Sequence, residues 1–244
     1  MDKCPYTREV AHNTMKDFTQ FEQTIGVTFK DNDILTRAFT HRSYINENPR
    51  SGLEHNERLE FLGDAVVELI ITDYLFRTYP DAPEGELTAY RSALVNAVIM
   101  AEVASTLGMN DYLLLSKGEA KDTGRARQTI LANAYEAFTG ALYLDQGYNA
   151  CVTFLHNTLI PKLEQIIAKK LWRDPKSTVQ EESQERLGVT PAYKVVSEVG
   201  PDHDKHFTVG IYFGDKKIAE GKGKSKQEAQ QNAAQAALET KGWI

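Results

Sequence analysis

In the stretch His55-Asn56-Glu57-Arg58-Leu59-Glu60-Phe61-Leu62-Gly63-Asp64-Ala65-Val66, three acids are threaded through a run of apolar residues. At about 100° per helical residue, Glu60 lies about 60° round the axis from Glu57, and Asp64 lies about 20° from it on the same side. Three carboxylates therefore share one narrow face. Leu59, Phe61, Leu62, Val66, Leu69 and Ile70 give the rest of the helix the character of a core element. Like charges three and four residues apart repel, and burial strips their hydration. A solvent-facing stripe relieves that cost, and so does a divalent cation.

A second segment favours the cation. Ile130-Leu131-Ala132-Asn133-Ala134-Tyr135-Glu136-Ala137 is equally apolar and places the oxygen-bearing Asn133 and Glu136 at i and i+3. Gly140 lies one turn beyond Glu136 on that face, where a missing Cβ lets another helix come close. Two such helices facing each other form an all-oxygen cage. That suits Mg²⁺, with Mn²⁺ able to substitute, better than zinc, whose usual nitrogen and sulfur donors are absent.

The rest of the composition sets bounds. The chain has 244 residues with 28 Lys+Arg against 34 Asp+Glu, a net charge of −6; 41% of residues are hydrophobic and 25% charged. Those proportions exclude a wholly disordered or collagenous chain. Cys4 and Cys151 stand far apart, so neither a zinc ribbon nor a disulfide framework is indicated, and a reducing compartment is expected. Met1-Asp2-Lys3-Cys4-Pro5 opens no apolar signal region, and the most apolar run, Ala65 to Ile71, is cut by Glu68 and too short to span a bilayer. The expectation is a soluble, cytoplasmic protein without a membrane or a nucleotide cofactor as partner.

Bulk acidity hides a local excess of the other sign. Residues 172–244 hold 11 basic and 11 acidic side chains, so the whole negative balance lies before them. Lys216, Lys217, Lys222, Lys224 and Lys226 fall within eleven residues, opposed by Asp215 and Glu220. Such a cluster is either an ordinary solvated face or a phosphate-contacting patch.

The periodicity changes at the same boundary. Before it, apolar residues recur at three- and four-residue steps, predicting helices over 15–25, 31–40, 56–77, 83–107 and 128–144, with a further helical pattern over 158–167. After Asp174-Pro175, Ser177 to Leu187 reads as a helix. Tyr193 to Val199, Phe207 to Phe213 and Ile218 to Gly221 read as strands. Ser225 with Glu228 three residues on forms a capping box before an alanine-rich helix. The expected fold is an all-α domain followed by a small α+β domain of α-β-β-β-α order. The expected organisation is a tail at 1–15, a helical domain at 16–167, a linker at 168–175 and the small domain at 176–244.

The run His55 to Asp64 resembles, without a gap, the signature of bacterial-type ribonuclease III. Thr40-His41-Arg42-Ser43, Glu84-Gly85-Glu86-Leu87, Gly118-Glu119 and Ile130-Leu131-Ala132 fit the same family, and the second half is similar to a double-stranded-RNA-binding domain. The resemblance spans about 16–244. It implies an endoribonuclease that hydrolyses double-stranded RNA by divalent-metal catalysis, leaving 5′-phosphate and 3′-hydroxyl ends with a short 3′ overhang, in the processing of rRNA and mRNA precursors. In the family the acids matching Glu57, Glu60, Asp64 and Glu136 bind metal and support hydrolysis. Asp64 and Glu136 rank first as direct ligands and Glu60 next, while Glu57 binds through water or positions the RNA strand.

Asn133 departs from the pattern, since much of the family carries Asp there. An amide oxygen can still ligate Mg²⁺ or accept from a bound water, but the cluster loses one negative charge. The resemblance also implies a homodimer, with Phe61 and Glu84 at its contact, whereas the residues alone favour core packing for Phe61. It implies RNA contacts from Lys176, Thr178, Gln180 and Glu181 on the first helix of the small domain. Pro201 and His203 in the first turn, and Lys222, Lys224, Lys226 and Gln227 at the start of the last helix, complete the set. A solvated turn histidine is the plainer reading of His203. Two alternatives stand beside the nuclease: a duplex-RNA-binding pseudo-enzyme, favoured by Asn133, and a phosphohydrolase of small nucleotides, disfavoured by the basic α-β-β-β-α appendage.

Overall fold

A computed structural model describes residues 16–168, 172, 174–201 and 204–243. The tail expected at 1–15, Lys169, Lys170, Leu171 and Arg173 of the linker, and His203 lie outside the described residues. The chain divides into two compact units, Met1–Trp172 and Arg173–Ile244.

The first unit is helical. In order come α1 (Thr19–Ile25), α2 (Asn32–Ala38), α3 (Arg42–Glu47), α4 (Glu57–Thr78), α5 (Glu84–Leu94) and α6 (Ala97–Thr106). Then follow α7 (Arg125–Gln146), α8 (Tyr148–Thr158) and α9 (Pro161–Ala168). The 22-residue helices α4 and α7 run through the middle, burying Leu59, Val66, Val67, Ile70, Ile71 and Leu75 from one and Ile130, Leu131, Tyr135, Phe138 and Leu142 from the other. Phe21 binds this core at the side, its ring meeting those of Phe39 and Phe138 edge-on with centroids 5.2 and 5.5 Å apart. Each buried aromatic of this kind stabilises the fold by roughly 1.5–3 kcal/mol.

Two expected helices are broken. The 83–107 run splits because Asn96 turns to extended backbone and its side-chain oxygen accepts from the N–H groups of Val98 and Ile99, capping α6. The 158–167 pattern splits at Leu159-Ile160, where α8 ends and Pro161 opens α9, a position that needs no backbone donor. Helices α3 and α8 were not anticipated.

The second unit is α10 (Pro175–Leu187), β1 (Pro191–Val199), β2 (His206–Phe213), β3 (Lys216–Gly223) and α11 (Lys226–Lys241), the expected order. The strands form an antiparallel sheet in the order β1-β2-β3, with Tyr193 opposite Ile211 and Val209 opposite Gly221. Val179 of α10 and Ala233, Ala234, Ala237 and Leu238 of α11 pack on Ile211 and Phe213. Gly221 allows that contact to be tight: a Cβ there would stand 2.1 Å from the Ala233 nitrogen. Asp174-Pro175 begins α10 rather than merely ending what precedes it, with Asp174 Oδ2 accepting from the Ser177 N–H at 2.9 Å. Ser225 caps α11 by accepting from the Glu228 N–H, but the Glu228 carboxylate reaches one residue further back than expected, to the Lys224 N–H at 2.7 Å.

Candidate active site

The crossing of α4 and α7 brings the acids together. A Cβ on Gly63 would lie 1.8 Å from the Glu136 carbonyl oxygen, and one on Gly140 would lie 2.2 Å from the Leu59 carbonyl oxygen. Backbone therefore meets backbone where Gly140 foretold it. Buried Asn56 fixes the entry to α4: its amide donates to the Ala38 carbonyl at 3.1 Å, and its N–H bonds the Thr40 carbonyl at 2.9 Å. Glu57 thus begins its helix at a set place, and the stripe follows from it.

Along that stripe the environment changes from turn to turn. Exposed Glu57 pairs with Arg42 Nη1 at 3.2 Å and faces His55 Nδ1 at 3.6 Å. Glu60 is half-buried. Burial raises its carboxyl above the ordinary value, the charges of Glu57 and Asp64 add to that, and a hydrogen bond with the Asn133 side chain opposes them. Asp64 is exposed. Burial pushes the Glu136 carboxyl up to about 7, and Asp64, Glu60 and Glu68 act in the same direction. Glu60, Asp64, Asn133 and Glu136 thus occupy one electrostatic neighbourhood across the two helices.

Glu68 is the acid that sequence reasoning passed over. It continues the spacing by one more turn, and the signal was present in that periodicity, hidden by its reading as an interruption of an apolar run. Arg91 of α5 pairs with it at 2.9 Å. The two ends of the stripe, Glu57 and Glu68, are therefore held by cations, whereas Glu60, Asp64 and Glu136 have no cationic partner among the described residues. No three His, Cys, Asp or Glu side chains among those residues are gathered tightly enough to close round an ion as they stand. The donor chemistry nevertheless fits a hard cation: three uncompensated carboxylates, two of them held above their normal range by burial, and one neutral amide oxygen.

Phe61 overturns its core-packing expectation, being 82% exposed on the outer side of α4, with Leu69 and Phe76 also outward on that helix. It lies about 100° round the axis from Leu62, which packs against the core, so the helix turns it to solvent. Glu84 opens α5, also exposed, beside a cleft lined by Thr72, Phe76, Thr88 and Arg91.

In the second unit, contacts link the start of α10, the β1–β2 hairpin and the start of α11. Lys176 Nζ donates to Gln230 Oε1 at 2.8 Å, Asp174 accepts from Gln231, and Lys226 pairs with Glu198 at 3.0 Å while lying over the Phe207 ring. Gln180, Glu181, Pro201, Lys224, Lys226 and Gln227 are exposed, as is Lys222 on β3. Thr178 is a correction. It is 7% exposed, turned inward beside Val179 where α10 packs, and so is withdrawn from any contact surface.

A helical domain with an all-oxygen acid cluster, joined to an α-β-β-β-α domain with a basic last loop, defines the two-domain class of enzyme that cuts duplex RNA. Residues 31–163 match the family model described as ribonuclease-III-like, and residues 175–241 match the double-stranded RNA binding motif. The chain is 46% identical over 224 residues to Ribonuclease 3 of Carboxydothermus hydrogenoformans, covering 92% of this chain and 95% of that protein. It is 44% identical over 233 residues to Ribonuclease 3 of Protochlamydia amoebophila, covering 96% and 95%. The solved nuclease domain of ribonuclease III from Campylobacter jejuni superposes with a TM-score of 0.54 at 37% identity, over 60% of this chain and 97% of that one. The chain belongs to the ribonuclease III family and is a double-stranded-RNA-specific endoribonuclease. These relatives do not favour the non-cleaving alternative.

Proposed function

We propose that Glu60, Asp64 and Glu136 hold the divalent cation on which this family depends, Mg²⁺ with Mn²⁺ as a substitute. The observation that carries this is a contrast: the end acids of the α4 stripe are matched by cations, whereas its two central acids and Glu136 facing them from α7 are not. A bound cation supplies charge neutralisation at the phosphate and a water of lowered pKa. The chain's own residues do the rest. Asp64, the exposed acid, faces the substrate side, and Glu136 approaches from the opposite helix. The Asn133 side chain bonds Glu60 and so steadies that carboxylate without adding a charge. Glu57, engaged by Arg42, stands at the rim where it can orient an RNA strand, not among the central ligands.

The products are 5′-phosphate and 3′-hydroxyl ends with a short 3′ overhang, from precursors of rRNA and mRNA in the cytoplasm. No helix among the described residues is long and apolar enough to cross a membrane. The small domain grips duplex RNA through Lys176, Gln180 and Glu181, Pro201 and His203, and Lys222, Lys224, Lys226 and Gln227, reading duplex shape across a minor groove. The working form is a homodimer. The exposed Phe61 and the exposed Glu84 are its contact residues, and the Campylobacter jejuni nuclease domain is itself described as having a region involved in dimer formation. The test is cleavage of a long RNA duplex with Mg²⁺ and with a chelator, beside Asp64→Asn, followed by end-group mapping. Cleavage by the parent alone, only with metal, supports the reading; equal cleavage by Asp64→Asn defeats it.

A further inference from the structure

Glu68 and Arg91 lie outside the chemistry just described, yet they touch its edge. Arg91 Nε stands 2.9 Å from Glu68 Oε2, and its Nη1 donates to Thr72 Oγ1 at 2.9 Å, so one guanidinium from α5 is pinned to two successive turns of α4. The fork geometry of Arg makes this a fixed attachment rather than a loose pairing. Glu68 lies one turn beyond Asp64 on the same face of α4, at the end of the acid stripe. Without Arg91 the stripe would present one more unbalanced carboxylate to the cluster.

We propose that Arg91 is a positioning residue for the acid cluster, holding Glu68 as a neutral couple and thereby limiting the negative charge that faces the cation. The proposal rests on the reading of Glu60, Asp64 and Glu136 as the cation site. Arg91 acts through its charge beside that of Glu68 and contacts neither RNA nor metal. Its charge and that of Glu68 oppose each other at the cluster, so removing either one shifts cation affinity in opposite directions. Removing both leaves it nearly unchanged. A salt bridge that merely fastens α5 to α4 has no such signature.

The test uses the full chain without RNA, with Mn²⁺ alone as the probe, by calorimetric titration of the parent, Arg91→Gln, Glu68→Gln and the double variant. Each single, partly screened charge is expected to change affinity roughly three- to tenfold. Arg91→Gln should bind Mn²⁺ more tightly, Glu68→Gln more weakly, and the double variant within about twofold of the parent. Arg91→Lys, which keeps the charge, should stay near the parent even if Arg91→Gln folds poorly. Thermal unfolding recorded alongside reports any weakening of the α4–α5 attachment. Parental affinity in all variants with altered melting would overturn the proposal, as would weaker binding by Arg91→Gln. A parent that binds no Mn²⁺, or an Asp64→Asn variant that binds it equally well, would instead defeat the reading of the central acids.

Discussion

Gly140→Ala puts the contact that assembles the site under direct strain. The added methyl would sit 2.2 Å from the Leu59 carbonyl oxygen and 3.0 Å from the Gly63 nitrogen, both backbone atoms on a buried face of α4. Neither can rotate away, so the helices must part by about 1 Å in a core packed at crystal-like density. Overpacking of this kind costs about 1–3 kcal/mol, and with backbone on both sides the upper end applies. Replacing a helical glycine by alanine returns about 1 kcal/mol of helix propensity. The net loss is about 2 kcal/mol, or roughly 4–8 °C in the melting of a unit this size. The same separation draws Glu136 away from Asp64 and Glu60, and a displacement of about 1 Å can cost up to about a hundredfold in rate. Scanning calorimetry and initial-rate duplex cleavage measure the two effects. Gly85→Ala is the control: nothing lies within 4 Å of its added carbon in α5, so it should leave melting unchanged or raise it slightly. If Gly140→Ala melted with the parent and cut at the parental rate, the close crossing of α4 and α7 would not be what builds the site.

The raised Glu136 carboxyl makes stability of the metal-free protein fall as pH rises from about 4.5 to about 7, because over that range the unfolded chain has already released a proton that the folded chain still holds. The full interval corresponds to at most about 3 kcal/mol, and solvent screening of a partly exposed group reduces it to roughly half. Denaturant titrations in chelator across that range should show the slope, and Glu136→Gln should flatten it; identical profiles would count against the assignment. Lys224→Glu with Lys226→Glu should weaken duplex-RNA binding and lower the salt dependence of log K by about one for each phosphate no longer engaged. Anisotropy at three salt concentrations reads this, and an unchanged slope rejects the lysines as RNA-binding residues. Phe61→Asp should give monomers in sedimentation velocity with nearly unchanged melting, since the ring is exposed; a dimer persisting at the same concentration removes Phe61 from the interface.

Much of the site was legible because it is written in helical periodicity. Glu57, Glu60 and Asp64 had to share a face once their segment was helical, and Gly140 marked a close approach because only a missing Cβ permits one. The alternation of Phe207, Val209, Ile211 and Phe213 settled the central strand for the same reason. What escaped depends on contacts from elsewhere in the chain. Asn96 looks like any polar residue inside a helix until its oxygen is seen capping Val98 and Ile99. Glu68 follows the spacing of the stripe, but its partner Arg91 comes from α5, and no spacing on α4 reveals it. Phe61 takes its core expectation from residue type, yet Leu62, three residues after buried Leu59 and four before buried Val66, holds the inward place and leaves Phe61 outside. The family resemblance places Thr178 among the RNA contacts, yet it lies on the buried side of α10, which the resemblance does not reveal.

Divalent-ion binding by the RNA-free full chain bears most immediately on all of this. Calorimetric titration with Mn²⁺ should give a saturable isotherm for the parent, at least roughly tenfold weaker binding for Asp64→Asn and for Glu136→Gln, and unaltered duplex-RNA binding by both variants in chelator. Superimposable isotherms for the parent and the two variants would place the ion elsewhere and leave the α4–α7 acids without the role given to them.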